Sequence, residues 1–137
     1  MNETLLKKEI HECLQRYFGY SSFRPGQYEV IESLLTGGAT VAVMPTGGGK
    51  SICYQIPALL LPGVTIVVSP LISLMKDQVD KLVQRKISAA LINSTLTLRQ
   101  VGEVLDQCRR GSIKLLYIAP ERFHSSLFKE AFENIQV

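Results

Sequence analysis

Cysteine is scarce in this sequence, and the long uninterrupted apolar runs that cross membranes are missing. The three cysteines, Cys13, Cys53 and Cys108, are far apart and include no C-x-x-C pair. An odd number of cysteines without metal-ligand spacing argues against a disulfide framework and against zinc in this segment, and it favours reduced, buried thiols. The longest apolar stretch, near residues 56–68, is interrupted by prolines and a glycine, so we expect no membrane span.

A strong excess of charge of one sign is also lacking. The net charge is +3, which neither requires nor excludes a nucleic acid partner because a basic stripe can lie within a balanced total. Residues 1–16 interleave charged and apolar side chains and contain no signal-peptide core. With 46% hydrophobic and 20% charged residues in a chain of 137, the composition favours a single globular domain. Reduced thiols are typical of a cytoplasmic protein, which is the location we expect.

The hydrophobic pattern changes after two helical segments near the N-terminus. Apolar residues recur every four positions over residues 4–18, which predicts an amphipathic helix, and Pro25 can open a second helix. Beyond residue 38 we predict four short strands, at 41–43, 64–68, 89–92 and 115–119. The predicted helices between and after them cover 51–61, 70–86, 97–110, a short turn from 120, and 126–135.

Particular residues mark where these helices begin. Thr97 and Gln100 have the spacing of a capping box, and either Ser69 or Ser73 can cap the helix over 70–86. Pro57 lies inside the helix over 51–61 and predicts a kink there. Because short apolar strands alternate with helical patterns, the sequence predicts an α/β fold with a parallel sheet flanked by helices.

The strongest chemical signal is the run Met-Pro-Thr-Gly-Gly-Gly-Lys-Ser at 44–51, between a predicted strand and a predicted helix. Glycines let successive backbone N–H groups turn toward a phosphate, and the helix start adds a positive dipole end. Lys50 can reach the β- and γ-phosphates of ATP in a catalytic role, and Ser51 can bind Mg²⁺. The expected phosphate-binding residues are Thr46, Gly47, Gly48, Gly49, Lys50 and Ser51.

Four motifs in order resemble the RecQ helicases of superfamily 2. They are Phe-Gly-Tyr at 18–20 with Phe-Arg-Pro-Gly-Gln at 23–27, the loop at 44–51 followed by Ile-Cys-Tyr-Gln-Ile-Pro-Ala, the segment 67–79, and Tyr-Ile-Ala-Pro-Glu-Arg at 117–122. Met44 replaces the glycine of the strict P-loop pattern, as in the looser loop of helicases. The resemblance implies a RecA-like lobe of an ATP-driven helicase that moves 3′-to-5′ on single-stranded DNA in recombination and repair.

The resemblance assigns Tyr20, Arg24 and Gln27 to the adenine base. The chemistry fits, because an amide can both donate to and accept from the edge of adenine, while a tyrosine ring or a guanidinium plane can stack on the base. The alternative is that Tyr20 is a packing residue and Arg24 a surface charge. For Phe23 we favour the packing role.

The resemblance also places DNA at loops that follow the strands. Ser69, Ser73, Lys76 and Arg122 are the expected contacts to phosphates, since loops at the carboxyl ends of strands hold binding groups in α/β proteins. The alternatives are helix capping by the serines, a solvated lysine and a surface pairing of Arg122 with its neighbour Glu121. The Asn-Ser-Thr run at 93–95 is a third polar loop on that edge, either a DNA contact or a simple turn.

Residues 1–137 contain no Asp-Glu-Ala-His run, the Walker B motif of the family. We therefore expect the N-terminal portion of a helicase lobe, truncated before the Walker B strand, with an adenine-recognition segment over 1–37 and the P-loop core over 38–137. Its other partners would be the remaining lobes of the parent helicase, where any zinc would also bind. The alternatives are a small P-loop kinase and an inert interaction module.

Overall fold

The computed structural model describes residues 3–43, 49–123 and 125–137. Its seven α-helices are α1 (Glu3–Cys13), α2 (Gln27–Leu35), α3 (Ile52–Leu60), α4 (Ile72–Gln84), α5 (Leu98–Arg109), α6 (Pro120–Phe123) and α7 (Ser126–Phe132). Its three strands are β1 (Thr65–Val68), β2 (Ala89–Ile92) and β3 (Leu115–Ile118). The chain divides into two compact units, Met1–Leu61 and Pro62–Val137, and each is described by itself.

The first unit is helical. Helix α1 continues into a π-helical turn, Leu14–Phe18, which ends at Gly19 in the left-handed conformation with φ of 74°. Helices α1 and α2 both contact α3. The predicted helix over 4–18 is therefore confirmed in extent, although its last turn is wider than an α-helix. Wide turns of this kind are frequent at functional sites, and this one ends two residues before Tyr20.

Two sequence predictions in this unit were wrong. The second helix does not open at Pro25, because Gly26 adopts φ of 87° and the helix begins only at Gln27. Residues 41–43 are not a strand: Val41 and Val43 are 94% and 95% exposed. A strand needs a neighbour for its backbone hydrogen bonds, and the sheet of the described residues pairs only β1, β2 and β3.

The second unit contains a parallel sheet in the order β1-β3-β2. Thr65 is in register with Leu115 on one side of β3, and Ala89 is in register with the same residue on the other side. All four residues of β3 are buried, so both faces of this central strand are covered, as expected for a parallel sheet flanked by helices. The predicted α/β class and the last three predicted strands are confirmed.

The core of the second unit lies where α5 and α7 meet one face of the sheet. Leu116 and Ile118 of β3 pack there with Leu105 of α5 and Phe128 of α7. Because side chains alternate along a strand, Leu115 and Tyr117 point to the opposite face. The tail closes over the same core, since Ile135 is buried and the Val64 N–H donates to the Gln136 carbonyl at 2.8 Å.

The helix caps of this unit follow local chemistry. The Thr97 hydroxyl accepts from the Gln100 N–H at 3.2 Å and the Gln100 side chain accepts from the Thr97 N–H at 2.9 Å, so the predicted capping box is confirmed. The cap prediction for α4 was wrong. Its N-cap is Leu71, and the Ser69 hydroxyl instead accepts from the Leu71 N–H at 3.2 Å because that turn precedes the helix.

Helix α3 runs through Pro57 without ending there. Among the described residues, no helix has the length and apolar character needed to cross a membrane. The three cysteines are free and buried, as expected from their spacing.

Candidate nucleotide site and polar sheet edge

The start of α3 carries the described part of the glycine-rich loop. Gly49 has φ of 77°, a conformation that side chains disfavour, and it precedes Lys50 and Ser51. Ser51 is the N-cap of α3, and its carbonyl accepts from the Gln55 N–H at 3.0 Å. The helix begins at Ile52, two residues after the lysine, so its first N–H groups and positive dipole end lie close to Lys50.

Lys50 and Ser51 have the surroundings that a nucleotide and its metal ion require. The Lys50 side chain is exposed. The Ser51 hydroxyl makes no capping hydrogen bond to α3, although serine at this position usually caps, so its oxygen is not committed to the helix. A half-buried hydroxyl beside an exposed ammonium suits Mg²⁺ and a phosphate.

Gln27 connects this loop to the segment before α2. Its side-chain Nε2 donates to the Gly49 carbonyl at 3.0 Å, and its Oε1 accepts from the Arg24 N–H at 2.8 Å. Gln27 is only 3% exposed, so burial makes both hydrogen bonds necessary. The φ of Gly49 favours glycine, and a Cβ there would meet Nε2 of this amide, so any side chain at this position would displace the end of Gln27.

Tyr20 and Arg24 lie near this bridge in the chain and both reach solvent. Tyr20 is 50% exposed, and Arg24 is also exposed. Either side chain can therefore stack on a planar ring without first leaving a core.

Phe23 has the packing role that the sequence favoured. Its ring lies 5.1 Å from the His11 ring and 5.9 Å from the Tyr28 ring, measured between centroids. The His11 Nδ1 is 2.8 Å from the Lys7 carbonyl, which fixes the imidazole in this cluster. These contacts anchor the segment that carries Arg24 to α1 and α2.

Cys53 lies two residues after Ser51 and is buried. Burial raises the pKa of its thiol above the ordinary value. A thiol that stays protonated packs as a small apolar group rather than acting as a nucleophile. Thr46, Gly47 and Gly48 lie outside the described residues.

A second group of predicted residues lies in the other unit, at the carboxyl edge of its sheet. The Ser69 N–H donates to the Ile118 carbonyl at 3.4 Å, and the Ala119 N–H donates to the Ile92 carbonyl at 3.0 Å. The three loops that follow β1, β3 and β2 therefore begin side by side. Ser73 and Lys76 are exposed in the first turns of α4, the helix that follows β1.

The loop after β2 is rigidly organised. Asn93 is 8% exposed, and its Oδ1 accepts from the Thr95 N–H at 3.0 Å and from the Thr95 hydroxyl at 2.6 Å. The turn reading of this run is therefore confirmed. Arg122, on the short helix α6 that follows β3, donates from Nη2 to the Leu96 carbonyl at 2.8 Å and to the Ser94 carbonyl at 3.4 Å.

Sequence reasoning missed both bridges, from Gln27 to Gly49 and from Arg122 to the loop after β2. The partners are 22 and 26–28 residues apart, and no local spacing rule links positions that far apart. Only the order of the strands could have signalled the second bridge. Loops after neighbouring parallel strands share an edge, so an arginine in one loop can reach carbonyls of the next.

The sequence model of the family described as DEAD/DEAH box helicase matches residues 24–137. This match covers most of the chain, and it includes both Lys50 and the sheet edge. The chain belongs to the DEAD/DEAH box helicase family.

Among its relatives, the chain is 53% identical to the ATP-dependent DNA helicase RecQ of Bacillus subtilis over 125 residues, 90% of this chain and 21% of that protein. It is 52% identical to the ATP-dependent DNA helicase RecQ of Haemophilus influenzae over 133 residues, 93% of this chain and 22% of that protein. It is 43% identical to the ATP-dependent DNA helicase Q-like 5 of Arabidopsis thaliana over 125 residues, 91% of this chain and 14% of that protein. The chain spans about a fifth or less of these relatives, and the expected resemblance to RecQ helicases is confirmed.

Proposed function

We propose that this chain is the nucleotide-binding front part of an ATP-dependent DNA helicase of the RecQ type. The observation that carries the proposal is the junction of Gly49, Lys50 and Ser51 with α3, bridged by Gln27 to the segment before α2. The parent protein moves 3′-to-5′ along single-stranded DNA and acts in recombination and repair. These features come from the family resemblance.

In this proposal the phosphate end of ATP lies at the start of α3. Lys50 neutralises the β- and γ-phosphates as a mobile ammonium, and Thr46, Gly47, Gly48 and Gly49 supply backbone N–H groups. Ser51 supplies a hydroxyl ligand to Mg²⁺, and the ion, when bound, offsets negative charge on the phosphates.

The adenine end is read by Tyr20, Arg24 and Gln27. Stacking is available from the exposed Tyr20 ring or the Arg24 plane. The Gln27 amide, which bridges Arg24 and Gly49, carries both a donor and an acceptor, the two groups that the edge of adenine requires. In this proposal the same residue contributes to the adenine site and to the conformation of Gly49.

The nucleic acid side of the proposal is the carboxyl edge of the sheet. Ser69 and Ser73 offer hydroxyl groups, while Lys76 and Arg122 offer positive charge to phosphates. Such contacts grip the backbone without reading base sequence, which suits a motor that moves along any strand.

Residues 1–137 alone are proposed to bind nucleotide and part of the DNA strand without unwinding duplex. An attacking water needs a carboxylate to position and activate it, and the Asp-Glu-Ala-His run that supplies this carboxylate in the family is absent from these residues.

Equilibrium ATP binding with Mg²⁺ tests the nucleotide site. In the full-length chain we expect Lys50→Ala to weaken ATP binding by more than about tenfold, since a charge-assisted contact to phosphate is lost. Lys81→Ala is the matched control, because Lys81 is an exposed lysine on α4 and is not part of the glycine-rich loop. Equal affinity in the Lys50→Ala and unmodified chains would exclude this site.

A second measurement separates the helicase from a small P-loop kinase. A RecQ-type motor hydrolyses ATP faster when single-stranded DNA is added. A kinase would instead transfer phosphate to a small molecule and ignore DNA, and that result would overturn the proposal.

A further inference from the structure

The segment between the π-helical turn and α2, residues 19–26, belongs to no helix or strand. A backbone hydrogen bond from the Gly19 N–H to the Gln15 carbonyl, at 3.1 Å, holds its start. Every residue of the segment is exposed except Phe23, which is partly buried. Because exposed side chains bury little apolar surface, the position of this segment depends on the packing of Phe23.

Phe23 belongs to a triangle of rings that come from three parts of the first unit. The planes of the Phe23 and His11 rings meet at 72°, an edge-to-face arrangement. His11, on α1, also lies 5.7 Å from Tyr28, on α2, measured between ring centroids. Aromatic pairs are favourable in such arrangements at centroid distances of about 4.5–7 Å. Among the ring contacts of the described residues, the contact that joins Phe23 to α1 is the one with His11.

The imidazole of His11 is held in one orientation. Its Nδ1 lies 2.8 Å from the Lys7 carbonyl, one helical turn earlier. A carbonyl oxygen only accepts hydrogen bonds, so Nδ1 carries the hydrogen and donates it. This bond limits rotation of the ring and keeps the ring packed against Phe23.

The aromatic triangle is connected to the proposed base site through the next residue of the chain. Arg24 directly follows Phe23, and its N–H donates to Oε1 of Gln27 at 2.8 Å. Arg24 and Gln27 are two of the three residues proposed to bind adenine. A displacement of Phe23 therefore moves the backbone of Arg24 and disturbs its hydrogen bond to Gln27.

We propose that His11 is a positioning residue for the base of the nucleotide, and that it acts through Phe23 without touching the ligand. The base site belongs to the proposed function, so this inference rests on it. Lys50 contributes to the binding of any ligand that carries a triphosphate, whereas His11 contributes only to the part of the affinity that depends on the base.

Equilibrium binding of MgATP and of inorganic triphosphate with Mg²⁺ tests this division in the full-length chain. We expect His11→Ala to weaken ATP binding by about fivefold, because the ring contact to Phe23 is lost, and to leave triphosphate binding unchanged. Lys50→Ala should weaken the binding of both ligands. Lys8→Ala is the matched control on α1, an exposed lysine that pairs with the exposed Glu12, and it should change neither. Equal weakening of both ligands by His11→Ala, or of neither, would overturn the positioning role.

Two further variants test whether His11 acts through its ring and through Phe23. In His11→Phe the new ring can keep the contact, so ATP affinity should stay within about twofold of that of the unmodified chain. In a Phe23→Leu background, His11→Ala should have little further effect, because the partner ring is already gone. A loss in His11→Phe as large as in His11→Ala, or an undiminished effect in the Phe23→Leu background, would contradict this route.

Hydrogen exchange decides the positioning role without any nucleotide. The Arg24 amide is hydrogen-bonded to Gln27, and in the full-length chain we expect it to exchange roughly fivefold faster in His11→Ala. Amides of β3, in the other unit, should not change. Unchanged exchange at Arg24 would overturn the positioning role even if ATP binds. If the unmodified chain bound neither ligand, the proposed function and the base-dependent role would fall together, whereas exchange would still show whether His11 holds the segment.

Discussion

The side chain of Gln27 donates a hydrogen bond to the carbonyl of Gly49 across 3.0 Å, which links the segment before α2 to the loop before α3. The same amide accepts from the Arg24 N–H at 2.8 Å. A change in the Gln27 side chain therefore removes contacts to both Arg24 and Gly49. In the proposed helicase, the buried Gln27 amide therefore links the segment that binds the base to the loop that binds the phosphates.

Gly49→Ala should lower both stability and ATP affinity by more than the strain of an alanine at positive φ alone would. A side chain at positive φ costs about 1–2 kcal/mol, and a Cβ here would also displace Gln27. Gly37→Ala is the control, because Gly37 has φ of 89° with nothing within 4 Å of its Cβ position. We expect a larger loss of unfolding free energy and of ATP affinity for Gly49→Ala, measured by urea titration and nucleotide binding. Equal losses in the two variants would refute the close approach.

Gln27→Glu should weaken ATP binding by more than about tenfold at neutral pH. The carboxylate still accepts from the Arg24 N–H but cannot donate to the Gly49 carbonyl, so two oxygens face each other in a buried position. Gln15→Glu, an exposed change in the same unit, is the control. The measurement is the affinity for ATP and GTP in both variants. A retained preference for ATP over GTP would contradict the adenine role.

Lys86→Gly should stabilise the second unit by roughly 0.5–1 kcal/mol. Lys86 adopts φ of 65° just after α4, and the following Ile87 N–H donates to the Leu82 carbonyl at 2.9 Å. A left-handed lysine is strained and glycine is not, although glycine also gains freedom in the unfolded chain. Lys81→Gly, inside the same helix, should instead destabilise by about 1 kcal/mol. Urea unfolding measures the change in unfolding free energy for both variants. If both variants were stabilised, or both destabilised, this explanation would be contradicted.

Gly63→Ala should loosen the C-terminal tail. Gly63 has φ of 80°, and a Cβ there would collide with the Gln136 carbonyl, which accepts the Val64 N–H. We expect a loss of about 2 kcal/mol or more, against about 1 kcal/mol for Gly111→Ala, whose Cβ position is open. Limited proteolysis of residues 133–137 reports the release directly. A tail that stays protected in Gly63→Ala would show that the collision is relieved elsewhere.

Alkaline pH should destabilise the fold through two thiols. Burial raises the pKa of Cys108 to about 11 and that of Cys13 to about 11, the latter against an opposing effect of Arg16. The ordinary pKa of a cysteine thiol is 9.0, and because the pKa is higher in the folded protein, the contribution of these thiols to stability is fully present below pH 9.0. That contribution is lost as the pH rises from about 9 toward about 11. Urea unfolding across this window should show a smaller decline for Cys13→Ala with Cys108→Ala than for the unmodified chain.

The sequence predicted the second unit well because its signals are local. Thr97 and Gln100 form their capping box through neighbours along the chain, and the apolar runs of β2 and β3 are bounded by polar turns. Residues 41–43 look the same in the sequence, yet they are not a strand. Pairing depends on a neighbour that no local pattern specifies.

The candidate sites were predicted by residue type more than by contact. The sequence predicted Gln27 as a contact to a base and Arg122 as a contact to a phosphate, because an amide suits the first ligand and a guanidinium the second. It could not show that both side chains also donate hydrogen bonds to backbone carbonyls more than 20 residues away. Such bonds depend on which loops the fold brings together, so they emerge only with the tertiary structure.

Because β3 lies between β1 and β2, the strand synthesised last is the one on which the other two depend. A growing polypeptide can complete α4 and α5 early, but within the part of the chain that the structure describes, β1 and β2 gain a partner only when residues 115–118 leave the ribosome. Insertion of one short segment then closes both hydrogen-bonded ladders together. Among the described residues, β3 is therefore the one strand whose loss would leave both of the others without a hydrogen-bonded neighbour.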